Sequence, residues 1–145
     1  MLNKAIEIAA KAHTGQVDKG GSPYILHPLR VMMNLCDDGD ETTMICGVLH
    51  DVVEDTDVTL ENLKAEGFSD EVIEALDCLT KRPGESYEDS INRVLTNHVA
   101  CKVKYADLRD NIDLSRIPSP THKDIERAEK YKRAIEQIAI ALKKH

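Results

Sequence analysis

Tryptophan is absent and phenylalanine occurs once, so that with four tyrosines the aromatic residues make up only 3% of 145. A chain so poor in aromatics has little from which to build sheets. Long apolar runs are missing too. Nothing approaches the roughly 18 continuous apolar residues that a bilayer span requires, and the start Met1-Leu2-Asn3-Lys4-Ala5-Ile6-Glu7 has no apolar core of a secretory signal. The expectation is a cytoplasmic protein without a membrane partner. Positive charge is in deficit: nineteen Lys and Arg against twenty-six Asp and Glu give a net charge of −7. That balance argues against broad adhesion to nucleic acid or anionic lipid, and an anionic ligand would need a local source of positive charge. Cys36, Cys46, Cys78 and Cys101 form no C-x-x-C pair, and three of them sit in apolar helical patterns that suit reduced core thiols.

What is present is helical period in almost every segment. One domain of this length buries roughly 68–70% of its unfolded surface without staples, and the pattern predicts an all-α bundle of about six to eight helices. The first runs from Leu2 to His13, with Ile6, Ala9, Ala10 and His13 on one stripe, and stops at Thr14-Gly15. The loop Gly15 to Pro23 holds three glycines and a lysine, so its backbone can approach a ligand closely. Tyr24-Ile25-Leu26-His27-Pro28 opens a second helix, with Pro28 in the first turn and His27 at the start. Asp40 caps a third that carries the apolar run Met44 to Leu49 onward to Asp55-Thr56. Thr59 and Ser69 open two more helices, ending near Lys64 and Leu79. Tyr87 to His98 and Val99 to Ile112 read as two further stretches. Beyond Pro118-Ser119-Pro120, Thr121 starts a last helix with Ile125, Ala128, Ile135, Ile138, Ala139 and Leu142 at helical spacing. Its Lys130, Lys132, Arg133 and Glu136 read as a solvated face and set no oligomeric state.

The segment Leu49-His50-Asp51-Val52-Val53-Glu54-Asp55-Thr56 places four polar side chains against an apolar helix. Carboxylates beside a histidine there are costly without compensation, and a divalent cation supplies it. On a continuous helix His50/Glu54 and Asp51/Asp55 are i,i+4 neighbours, stacking a carboxylate pair one turn beyond a ligand pair. His27, His50, Asp51 and Asp107 make a mixed nitrogen and oxygen set that suits Mn²⁺, Fe²⁺, Zn²⁺ or Mg²⁺ with open positions. Such a site fits hydrolysis of a phosphate ester. Glu54 and Asp55 are then candidates to orient water and handle its protons, and Asn111, one turn after Asp107, to bond a ligand or substrate oxygen. His13, His98, His122 and His145 have no comparable neighbours in the sequence, and His13 reads as a hydrogen-bonded core residue.

The ordered set resembles the HD-domain phosphohydrolases. More narrowly, Ala12-His13 with Gly15-Gln16, Pro23-Tyr24-Ile25 before His27-Pro28-Leu29, His50 to Thr56, Leu79-Thr80-Lys81, and Lys104 to Leu108 with Asn111 resemble the hydrolase domain of RelA/SpoT homologues. The resemblance covers most of the chain and implies a single HD hydrolase domain over residues 1–145, a stand-alone small alarmone hydrolase without synthetase activity. It implies Mn²⁺-dependent removal of the 3′-pyrophosphate of guanosine tetra- or pentaphosphate, giving GDP or GTP and pyrophosphate. It assigns His27, His50, Asp51 and Asp107 to the metal, Glu54 and Asp55 to the nucleophilic water, and Asn111 to a position beside substrate or ligand. Lys19, Ser22, Tyr24 and Lys81 fall where the family contacts its nucleotide. Asp18 stands where the family pattern has an arginine stacked on guanine, and an acidic side chain has no cation–π contact to offer. That departure keeps open an adenine alarmone or a 2′-phosphate as in NADPH. A binding module that senses an alarmone without cleaving it is the reading from another class.

Overall fold

The computed structural model describes residues 1–38 and 40–144, so His145 and the expectation attached to it lie outside the described residues. The fold is all-α. Eight helices of six residues or more form it among the described residues: α1 (Leu2–Ala12), α2 (Leu26–Asn34), α3 (Glu41–Leu49), α5 (Leu60–Ala65), α6 (Asp70–Leu79), α7 (Tyr87–Val94), α8 (His98–Asn111) and α9 (His122–Lys143). Between α3 and α5 lies a single-turn helix, α4 (Val52–Asp55), and the described residues hold no strand beyond one isolated bridge between Val17 and Pro23.

Helix starts are set by side chains that satisfy free amides. Asp40, Thr59, Ser69 and Thr121 each accept a hydrogen bond from the first turn of the helix that follows, with reciprocal capping boxes at Thr59 and Thr121. The α7–α8 junction differs from expectation by a few residues. Asn97 accepts from the Ala100 amide and begins α8 at His98, so His98 belongs to the second helix rather than ending the first. Two apolar positions also fall outside the core: Ala10 is exposed on α1, and Ile125 is 48% exposed on α9, where buried Asp124 takes the inward place.

Helix α3 is the central element, packed against α1, α2, α6 and α8. Its Ile45, Cys46, Val48 and Leu49 are buried, and they meet Val31 of α2, Ala9 of α1, Leu76 of α6 and Val103 of α8 in one core. Gly47 lets α2 come close, because a Cβ there would lie 2.9 Å from Leu35 Cδ1 and 3.4 Å from Met32 Cα. The close approach of α2 and α3 carries His27 toward His50.

A second organising contact holds the 80–86 loop. Arg93 donates from Nη1 to the Asp77 carbonyl (2.8 Å) and from Nη2 to the Thr80 carbonyl (2.7 Å), capping the end of α6, while Nε and Nη2 grip Glu85 at 2.7 Å each. The Arg93 hydrogen bond, seconded by the Arg82 amide, lowers the Glu85 carboxyl from 4.5 to about 2. A carboxyl lowered by folding stabilises the fold above its unfolded value of 4.5 and loses that contribution as pH falls toward 2. Urea midpoints of the wild type should therefore fall across that window more steeply than those of Glu85→Gln; parallel acid limbs would contradict the pairing.

Candidate metal centre and adjoining cleft

The predicted continuous helix through Asp55 is interrupted at His50. The His50 Nδ1–H donates to the Gly47 carbonyl at 2.6 Å, occupying the acceptor that an unbroken helix would offer to the Asp51 amide. The chain turns at His50 and Asp51 and re-enters helix as α4, where the Asp55 amide bonds the Asp51 carbonyl at 2.9 Å. The i,i+4 stacking of Asp51 and Asp55 expected from sequence survives the interruption, their ligating atoms lying within 4.8 Å of one another. The turn also brings His50 Nε2 and Asp51 Oδ2 within 3.0 Å of each other.

Four side chains converge there. Asp107 Oδ1 lies 2.9 Å from His27 Nε2 and 3.2 Å from His50 Nε2, and Asp51 Oδ2 lies 3.0 Å from His50 Nε2 and 3.7 Å from His27 Nε2. The ligating atoms of His27, His50 and Asp107 all fall within 4.8 Å of one another, and all three residues are buried. The donor chemistry fits a cation. A carbonyl can only accept, so His50 Nδ1 carries its hydrogen, and in the neutral imidazole Nε2 presents a lone pair to carboxylate oxygens. Lone pairs facing one another need positive charge between them, and two imidazoles with two carboxylates are an open set for a divalent ion.

The electrostatics agree in sign. Burial opposes charge on His50, yet the Asp51 and Asp107 carboxylates outweigh it and hold its pKa well above 6.5. Burial likewise works against charge on Asp107, but Lys104 and His50 keep its carboxyl well below 3.8. Lys104 Nζ donates to Asp107 Oδ2 at 3.1 Å, and Asn111 Nδ2 to Oδ1 at 3.0 Å. The field that favours a proton at the imidazoles favours a metal cation equally.

Glu54 and Asp55 stand beside this cluster, the ligating atoms of Asp51, Glu54 and Asp55 lying within 4.8 Å of one another. Partial desolvation, with the charges of Asp51 and Glu54, pushes the Asp55 carboxyl up to about 6. Glu54 Oε1 accepts from the Lys81 amide at 2.9 Å, so the loop held by Arg93 is what steadies it. Lys81 thereby approaches the site through its backbone, with an exposed side chain. Tyr24, expected at the nucleotide, donates its hydroxyl to Asp51 Oδ2 at 2.5 Å. His13 is buried as expected and pairs with Gln16 at 2.9 Å, and Gln16 reaches the Asp55 carbonyl at 3.3 Å.

A cavity of about 290 Å³ opens next to His27, between the 17–20 loop and the start of α9. Lys19 lines it, with Nζ held 3.0 Å from Asp124 Oδ1. Ser22 is exposed and lies off the cavity wall, and its amide donates to Asp18. Asp18 itself folds the loop: Oδ1 accepts from the Gly20 and Ser22 amides at 2.9 Å each. Gly20 serves the protein's own backbone, since a Cβ there would collide with the Arg116 carbonyl oxygen. Asn111, Arg116, Arg127 and Tyr131 line it too, with Arg30, Asp113 and Ile117; in the sequence the last helix reads as a solvated face and Arg116 precedes a Pro-rich turn, so neither points to the cavity. Gly20→Ala should displace the loop from Arg116 at a cost of about 1–3 kcal/mol. Hydrogen exchange of residues 17–23 should quicken while the His27–Asp107 region keeps its protection; unchanged loop exchange would count against the close approach.

Comparison with known proteins follows the same lines. The family model described as HD domain matches residues 5–89. A probable GTP pyrophosphokinase of Mycobacterium leprae is 34% identical over 149 residues, spanning 96% of this chain and 18% of that protein. A guanosine-3′,5′-bis(diphosphate) 3′-pyrophosphohydrolase of Aquifex aeolicus is 34% identical over 120 residues, or 77% of this chain and 17% of that one. The chain therefore spans under a fifth of the length of these curated relatives. A solved structure of a metazoan orthologue of SpoT, described as hydrolysing ppGpp, aligns with a TM-score of 0.76 at 25% identity, covering 97% of this chain and 84% of that one. With more than half of its residues inside the family match and its His-Asp pair turned into a shared centre with His27 and Asp107, this chain belongs to the HD-domain family.

Proposed function

We propose that the protein hydrolyses the 3′-pyrophosphate of guanosine tetra- and pentaphosphate to GDP or GTP and pyrophosphate. Residues 1–145 act in this reading as one cytoplasmic hydrolase unit whose partner is a small nucleotide, neither nucleic acid nor membrane. The observation that carries it is the cation-seeking His27, His50, Asp51 and Asp107 cluster, with the Glu54 and Asp55 acids beside Asp51 and a cleft of about 290 Å³ opening on the other side of His27. The similarity to a metazoan ppGpp hydrolase over 97% of the chain supports the same substrate.

Manganese, held by His27, His50, Asp51 and Asp107, would polarise the phosphoryl group and activate water. The chain's own groups do the remaining work. Asp55 accepts and returns the water's proton, and Glu54, fixed by the Lys81 amide, orients the attacking water. Asn111 is tied to Asp107 and faces the cleft, where it can meet a substrate oxygen. Lys19, Arg116 and Arg127 bring cations to the cleft wall, each already paired with a carboxylate: Lys19 and Arg127 with Asp124, Arg116 with Asp110 and Asp113. Lys81 and Ser22, at the periphery, would come into play only toward the distal phosphates.

Asp18 is the observation that favours a second reading. A carboxylate, not a guanidinium, faces the cleft where the base would lie, and Tyr131 offers the aromatic surface there. An adenine alarmone or a 2′-phosphorylated dinucleotide is then the alternative, and kcat/KM across such a panel separates the cases.

Purified protein with Mn²⁺ and ppGpp should release pyrophosphate and GDP, stop on chelation and recover on adding Mn²⁺. Glu54→Gln or Asp55→Asn should lower kcat by about 10²–10⁴-fold. Absence of pyrophosphate release with every divalent ion tried would overturn the proposal.

A further inference from the structure

We infer that Asp110, clamped by Arg30 and Arg116, is the positioning residue that orients His27 toward the cation. The inference rests on the proposed cation site and deepens it. Asp107 and Asp110 are i,i+3 on α8 and so share one face of the helix. Between them they hold both ring nitrogens of His27: Asp107 Oδ1 lies 2.9 Å from Nε2, and Asp110 Oδ2 lies 2.6 Å from Nδ1. A carboxylate at Nδ1 accepts the ring hydrogen and leaves the Nε2 lone pair for the ion, while fixing the plane of the imidazole.

Asp110 is buried, with its side chain 6% exposed, and two guanidiniums keep it in place. Arg30 donates through Nε to Oδ1 at 2.8 Å and through Nη2 to Oδ2 at 3.1 Å, a two-pronged grip. Arg116 Nη2 lies 2.6 Å from the Asp110 carbonyl and 3.3 Å from Oδ2, and its Nη1 meets Asp113 Oδ2 at 3.0 Å. Both arginines line the cavity beside His27, where they look like binders of substrate phosphate. Their hydrogen bonds commit them to Asp110 instead. The same arrangement does not serve His50, whose Nδ1 is held by a backbone carbonyl and needs no further support.

The test is metal affinity, measured without substrate. Mn²⁺ titrated into metal-free protein and followed by electron paramagnetic resonance should bind Asp110→Asn about 10–100-fold more weakly than wild type. In Zn²⁺-loaded protein, the His27 Nδ1–H resonance should be lost or shifted in the variant while that of His50 persists. Arg30→Gln, which retains Arg116 and is the milder change, should weaken binding in the same direction should Asp110→Asn fail to fold. In turnover, the variant's lost kcat should return at saturating Mn²⁺ with KM for the nucleotide unchanged. Wild-type Mn²⁺ affinity in the folded variants, or an unmoved His27 resonance, would overturn the inference. A wild-type protein that binds Mn²⁺ through this network yet leaves ppGpp intact would defeat the proposed function and leave Asp110's role standing.

Discussion

A carboxylate buried among imidazole nitrogens is tolerable only where positive charge compensates it, and Asp107 is such a carboxylate. Its Oδ1 is shared by His27, His50 and Asn111, and its Oδ2 is bonded to Lys104. Each of those partners comes from a different part of the chain or a different turn of α8, so the fold must bring α2, α3 and α8 together for Asp107 to be satisfied at all. The apolar core of α3 and the close approach at Gly47 supply that assembly. The core and the polar centre are consequently one construction.

Two features convert this buried charge into an open centre. The His50 side chain takes the Gly47 carbonyl where α3 ends, and Asp51, next in the chain, places Oδ2 3.0 Å from His50 Nε2 and 3.7 Å from His27 Nε2. Meanwhile the 80–86 loop, capped by Arg93, supplies an amide to Glu54. Acid groups therefore stand beside the cluster in fixed positions, and the cleft on the other side of His27 is left for a ligand.

Much of the helical fold was legible from local chemistry. Asp40, Thr59, Ser69 and Thr121 announce helix starts by side chains that bond amides two or three residues on, and such contacts are written in neighbouring letters. The gathering of His27, His50, Asp51 and Asp107 was legible as well, because their residue types and apolar surroundings demanded compensation. What escaped depends on distant partners or on a side chain folding back onto its own backbone. The break at His50 is made by a side chain folding back on its own helix, so the period of 44–55 looks uninterrupted. Lys19 falls where the family contacts its nucleotide, yet Asp124, 105 residues away, holds its Nζ. Tyr24 reaches Asp51 across a separation of 27, and Asp110 reads as one more acid on a helix until Arg30, 80 residues back, is seen against it. Asp18 departs from the family pattern in the sequence, but its hydrogen bonds from the Gly20 and Ser22 amides follow from the fold of the loop.

The most direct measurement of the central claim is anomalous diffraction from crystals of the protein grown with Mn²⁺. One manganese peak is predicted within bonding distance of His27 Nε2, His50 Nε2 and carboxylate oxygens of Asp51 and Asp107, with Lys104 and Asn111 still on Asp107. A peak at the Glu54 and Asp55 carboxylates alone, or none inside the His27–His50–Asp107 cluster at saturating Mn²⁺, would contradict it.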